Sequence, residues 1–182
     1  MRIIAGKLKG RKLVSFSASH IRPTTDRVKE SIFNKLQTDI QEARVLDLFA
    51  GTGNLTIESY SRGAQYVEAV ESHIKSLKII KDNLAHLQVS ENIKVIKQDV
   101  LKYLQKYAGP AFDIILIDPP FTKALSHSVL EIIGSSQVLQ SGSIVVIESA
   151  KAERVDENYN GLKFLEQKSF GDKKVTFFKG EN

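Results

Sequence analysis

The residues best suited to chemistry are Asp118-Pro119-Pro120-Phe121, which follow the apolar run Phe112-Asp-Ile-Ile-Leu-Ile117. Proline removes a backbone donor, fixes φ, and disfavours helix for the residue before it. The segment therefore reads as a stiff, extended loop that holds Asp118 and the neighbouring carbonyls still. A rigid cluster of hydrogen-bond acceptors followed by an aromatic face suits a flat ring that bears an amine. The same residues would also serve as a plain strand stop with a buried phenylalanine.

A second group lies upstream, in Asp47-Leu-Phe-Ala-Gly51-Thr-Gly53. Glycines after a strand and before a helix permit a tight turn and close backbone approach by a ligand. Glu71 follows Gly53 by 18 residues, at the end of the next predicted strand, where an acid can accept from ribose hydroxyls. Two features disfavour a dinucleotide. Thr56 stands where Gly-x-Gly-x-x-Gly needs its third glycine, and Asp47 would repel a pyrophosphate but welcome an ammonium group. An amino-acid-bearing adenosine, S-adenosylmethionine, fits better, with Asp99 accepting from the adenine amine. Asp99 could equally cap the following helix, and Glu71 the one after it.

These acids need elements to carry them. From Ala43 the pattern alternates: strands at Arg44–Phe49, Tyr66–Glu71, Ile93–Gln98, Phe112–Asp118 and Ser143–Glu148, with helices at Asn54–Ser61, His73–Leu87, Val100–Tyr107 and Ala124–Ser135. Alternation of this kind predicts a doubly wound, mostly parallel α/β sheet. Leu162–Phe170 and Lys173–Lys179 read as a closing antiparallel hairpin. Ligands in such sheets bind beyond the carboxyl ends of the strands, and Asp47, Glu71, Asp99 and Asp118 all fall there. Before this core, Arg2–Ala5 and Arg11–Val14 are predicted to pair as a small basic hairpin. Ser15–Ile21 reads as loop, and a helix opens at Arg22-Pro-Thr-Thr-Asp26.

The chain of 182 residues has no cysteine, which removes disulfides, thiol nucleophiles and thiolate metal sites. Its four histidines, His20, His73, His86 and His127, lack ligand spacing, so no metal is expected. No segment approaches the roughly 20 apolar residues of a membrane span, nothing resembles a signal peptide, and a cytoplasmic protein is expected. The net charge of +5 is concentrated: residues 1–35 carry +7 and the rest −2. Lys7, Lys9, Arg11, Lys12, Arg22 and Arg27 are therefore candidates for an RNA footprint, as well as for a merely solvated basic face.

Four blocks in order, Arg2-Ile-Ile-Ala-Gly-Lys-Leu-Lys-Gly-Arg-Lys-Leu13, Arg22-Pro-Thr-Thr-Asp-Arg-Val-Lys-Glu30, Asp47-Leu-Phe-Ala-Gly-Thr-Gly53 and Asp118-Pro-Pro-Phe121, closely resemble the bacterial RsmD family over nearly the whole chain. That family methylates the N2 amine of a guanine in small-subunit ribosomal RNA. The resemblance implies a single class I, Rossmann-like methyltransferase domain: a basic extension over 1–40, and a core over 41–182 built on a seven-stranded sheet. It implies that Asp47, Phe49, Gly51 and Gly53 line the methionine side of S-adenosylmethionine, with Glu71 on the ribose and Asp99 on the adenine. Asp118, Pro119 and Phe121 would hold the base, and Thr24 and Arg27 would face cofactor or RNA. One departure is Leu8, where relatives often carry an aromatic. Glu148 and Ser149 end the fifth predicted strand and receive no role. The substrate would be ribosomal RNA, a subunit or an assembly intermediate, and the enzyme a monomer. Asp-Pro-Pro-Phe alone also occurs in methyltransferases of DNA adenine and protein amides. A catalytically silent cofactor- and RNA-binding module, or more distantly a nicotinamide dehydrogenase, is the competing class.

Overall fold

The structure, a computed structural model, describes residues 1–14, 24–120 and 124–181. Five parallel strands form its centre: β1 (Arg44–Leu48), β2 (Tyr66–Glu71), β3 (Ile93–Lys97), β4 (Ile114–Ile117) and β5 (Ile144–Ala150). β6 (Asn158–Tyr159), β7 (Leu162–Phe170) and β8 (Lys173–Gly180) complete the sheet in the order β3-β2-β1-β4-β5-β8-β7-β6. The expected seven strands are present, joined by an eighth of two residues. Asn158 and Tyr159 are too few for any periodicity, so β6 is defined only by its pairing with β7.

β1 and β4 are buried almost throughout because helices cover both sheet faces. On one face Val45, Ala69, Leu116, Val146 and Phe177 join a core with Ile57 and Ile80, from α2 (Asn54–Ser61) and α3 (Ile74–Leu87). On the other, Leu46, Ile115 and Ile147 meet residues of α4 (Val100–Lys106) and α5 (Ser126–Ile133). The remaining helix, α1 (Asp26–Lys35), starts where the Thr25 hydroxyl accepts from the Val28 amide. It buries Val28, Ile32 and Phe33 in the first of these cores, each worth about 1.5–3 kcal/mol.

The N-terminal segment pairs on itself as expected, in a short antiparallel hairpin around the Arg2–Lys12 bridge, with Ile3 donating to the Arg11 carbonyl, Gly10 to that of Ile3 and Leu13 to that of Met1. Others of its backbone donors go to α2. Ile4 and Ala5 donate to the Glu58 carboxylate, and Lys7 to the Ser61 carbonyl. Gly6 (φ +82°) lies so close that a Cβ would stand 1.8 Å from the Ser61 carbonyl oxygen. The segment is an arm laid along α2. Near α2's first turn the Thr52 hydroxyl reaches the Met1 sulfur, and at its last turn Ser61 holds Lys7 and Leu8. At 1.5 Å per residue those ends are about 12 Å apart.

Candidate active site

The chain reverses its winding between β1 and β4, and the crevice beyond their carboxyl ends is where open α/β sheets bind ligands. Asp47 lies in β1 and Asp118 one residue past β4, its amide donating to the Leu48 carbonyl at 3.3 Å. With the strand order, Asp99, Glu71, Asp47, Asp118 and Glu148 follow one another along this rim.

After β1 the backbone turns sharply. Phe49 adopts φ +65°, a conformation that costs a non-glycine residue about 1–3 kcal/mol. The turn sets the Ala50 amide on the Val70 carbonyl and the Gly51 amide on Glu71 Oε2, at 2.9 Å. Gly51 and Gly53 are both at positive φ, +57° and +77°. For Gly53 the requirement is conformational, because a Cβ would meet Ile80 at an ordinary 3.5 Å. Glu71 also accepts from the His73 amide at 2.7 Å, which orients the carboxylate at the strand end, whereas the N-cap of α3 is His73 and not Glu71. Asp99 caps α4 through the Lys102 amide at 3.1 Å and is exposed.

Asp47 is 1 % exposed. Its Oδ2 accepts from the Thr56 hydroxyl at 2.5 Å, while Oδ1 has no hydrogen-bond partner among the described residues. Burial, opposed in part by Thr56, pushes its carboxyl up to about 7. An unpartnered, buried carboxylate oxygen beside a glycine turn suits the ammonium of an amino-acid ligand. Glu71, with lone pairs remaining on both oxygens, suits ribose hydroxyls. These residues fit S-adenosylmethionine.

Asp118 is half-buried and held well above the ordinary carboxylate range, first by desolvation and then by Glu148, against the opposing pull of Lys173 and Thr24. The Thr24 hydroxyl donates to Asp118 Oδ2 at 3.0 Å and so ties the segment ahead of α1 to the residue after β4. Pro119 is buried. Phe121 and Arg22 lie outside the described residues. Lys7, Lys9, Arg11, Lys12 and Arg27 are all exposed. The Lys7 ammonium lies 3.4 Å above the Tyr60 ring, and the Arg27 guanidinium 6.0 Å from Phe170. Among the described residues no group of three or more His, Asp or Glu is placed to hold a metal.

Three residues escaped the sequence reading. Ile74 opens α3 three residues past Glu71 and is 68 % exposed; a lone apolar side chain so near the acid was its only signal. Glu148 is buried beside Asp118's strand. Lys173, which reads as the first residue of the last strand, is buried and ion-paired to Glu148.

This sheet order, turn and row of acids define an S-adenosylmethionine-dependent methyltransferase fold. A family model described as Conserved hypothetical protein 95 matches residues 1–179. The Ribosomal RNA small subunit methyltransferase D of Haemophilus influenzae is 36 % identical over 90 % of this chain and 86 % of its own. The solved structure of yhhF from Escherichia coli superposes with a TM-score of 0.88 at 29 % identity, covering 100 % of this chain and 98 % of that one. SMU.776, solved with S-adenosylhomocysteine, shares the fold at a TM-score of 0.66 and 15 % identity, over 81 % of this chain and 49 % of its own. The chain belongs to the RsmD family.

Proposed function

We propose that the protein transfers a methyl group from S-adenosylmethionine to the exocyclic N2 amine of a guanine in small-subunit ribosomal RNA. It would act as a monomer in the cytoplasm, on RNA, a subunit or an assembly intermediate. The observation that carries the reading is the pair of acids across the β1/β4 crevice. Asp47 offers a bare buried oxygen to the cofactor side, and Asp118 is fixed by Thr24 on the other.

S-adenosylmethionine, when bound, supplies an electrophilic methyl group. Asp47 would hold its ammonium, Glu71 its ribose and Asp99 its adenine, with Phe49, Gly51 and Gly53 shaping the turn. A guanine amine is a poor nucleophile because its lone pair is delocalised into the ring. Asp118 and the Pro119 carbonyl, accepting its two hydrogens, favour a pyramidal nitrogen with a free lone pair. The surplus proton leaves afterwards, so no strongly activated base is needed. Positioning of this kind can supply about 7–11 kcal/mol. Extruding the base costs a few kcal/mol, and stacking on Phe121 would recover roughly 1–3 kcal/mol. Lys7, Lys9, Arg11, Lys12, Arg22 and Arg27 would contact phosphates.

The test is methyl transfer from labelled cofactor to small subunits lacking the modification, with wild type and Asp118→Ala in parallel. N2-methylguanine is expected with wild type, and turnover at least about 100-fold lower in the variant, with cofactor affinity within about threefold. Full activity in Asp118→Ala would remove Asp118 from the reaction. Absence of N2-methylguanine with wild type would overturn the substrate.

A further inference from the structure

Glu148 is 1 % exposed, and only half of its hydrogen-bonding capacity is accounted for. Lys173, reaching across from β8, bonds Oε1, whereas Oε2 has no partner among the described residues. A buried oxygen without a donor is unfavourable and calls for a physical reason. A structural ion pair with Lys173 needs only the first oxygen.

Its position suggests the reason. Ile117 and Ile147 are register partners in the parallel β4–β5 pair. Asp118, just past β4, and Glu148, within β5, therefore stand at the same level and on the same face of strands about 4.8 Å apart. They sense one another, since Glu148 is the strongest charge acting to raise the Asp118 carboxyl. Ionised carboxylates only accept hydrogen bonds. A ligand edge that carries adjacent donors, with Lys173 as the nearby counter-charge, relieves that mutual repulsion and lets both groups stand as carboxylates. The Watson–Crick edge of guanine has this pattern, N1–H beside the N2 amine. Adenine N1 and cytosine N3 instead turn a lone pair toward that place.

We propose that Glu148 is a specificity-determining residue, its Oε2 accepting the N1–H of the extruded guanine while Asp118 takes the N2 amine. The assignment rests on the guanine reading above and adds the residue that excludes other bases. Lys173 fixes the carboxylate in position.

The experiment uses small subunits reconstituted with guanine or 2-aminopurine at the modified position. 2-Aminopurine keeps the exocyclic amine but has a lone pair at N1. Wild type is expected to lose about tenfold or more in kcat/KM on 2-aminopurine. In Glu148→Gln, whose amide can donate to that lone pair, the two substrates should come within about threefold of each other. Wild-type rates on 2-aminopurine within threefold of guanine would overturn the assignment, as would an unchanged preference in Glu148→Gln. Wild type that makes no N2-methylguanine at all would instead overturn the guanine reading. Cofactor binding and melting temperature check that the variant folds; if it does not, the wild-type comparison alone decides.

Discussion

Burial favours the protonated form of Asp47, and an ammonium ligand would have to displace that proton. Its carboxyl is pushed up to about 7, whereas the unfolded value is 3.8. A buried acid raised in this way takes up a proton on folding. The free protein should therefore lose stability as pH rises from near 4 through 7, in the limit on the order of 4 kcal/mol. An ammonium ligand needs the carboxylate, so affinity for S-adenosylmethionine should rise with pH and fall about tenfold per unit below 7. Titration calorimetry at constant ionic strength between pH 5.5 and 8.5 measures this, and Asp47→Asn should bind weakly with a flat profile. Much of this pocket was legible in the sequence, because Asp47, the glycines, Glu71 and Asp118 each end an apolar run or begin a turn. The orphaned Oδ1 was not, since it depends on which donors the fold brings near. Glu148 was hidden for a stronger reason: its environment joins β4 to a lysine in the final hairpin, and no local pattern links them.

Among the elements, the joint between the arm, α1 and α2 turns on Lys29, a charge counted in the basic excess of residues 1–35. Lys29 is fully buried, 3.2 Å from Glu58, and also donates to the Arg2 carbonyl and to Asn54. Burial lowers its pKa, opposed by Glu58. Glu58 in turn accepts from Ile4, Ala5 and Arg62. Removing one partner of a buried pair strands the other charge, so Lys29→Met should cost about 3–5 kcal/mol. The Lys29→Met/Glu58→Leu double variant should lose less than Glu58→Leu and Lys29→Met combined. Urea denaturation of the four proteins measures both. The apolar stripe of α1 and its Thr25 cap could be read directly, but Lys29 lies on that stripe at a helical spacing shared with Ile32 and Phe33. Only the position of Glu58 explains a lysine there.

For the molecule as a whole, the arm carries basic residues away from the crevice, Lys7 to Tyr60 on α2 and Arg11 to the His86 carbonyl on α3. Lys7 sits at the helix end remote from Gly53. An RNA that reaches both Lys7 and Asp118 would run along the helix for about 12 Å. Neutralising Lys7, Lys9, Arg11 and Lys12 together should weaken binding and reduce the slope of log affinity against log salt by about 3. A fluorescence titration over several salt concentrations would show it. Part of the N-terminal charge is already spent, because Arg2 pairs with Asp26 and Lys35 with Glu166. Charge counting could not show these internal pairings. No described helix is long and apolar enough to cross a membrane.

The order of strands also bears on how the chain is made. β8 lies between β5 and β7, so the ribosome releases both neighbours before the strand that joins them. Until Lys173–Gly180 emerges, β5 presents an open parallel-sheet edge of seven residues, Ile144–Ala150, most of them buried in the finished protein. Such edges template association with other chains. A protein ended after Gly171 should accordingly sediment as aggregate under conditions where the 182-residue chain remains in the supernatant. Nascent chains halted at that point would then depend on the ribosome or a chaperone to stay apart, so the same eight residues that deliver Lys173 to Glu148 also decide whether synthesis ends in a dispersed protein.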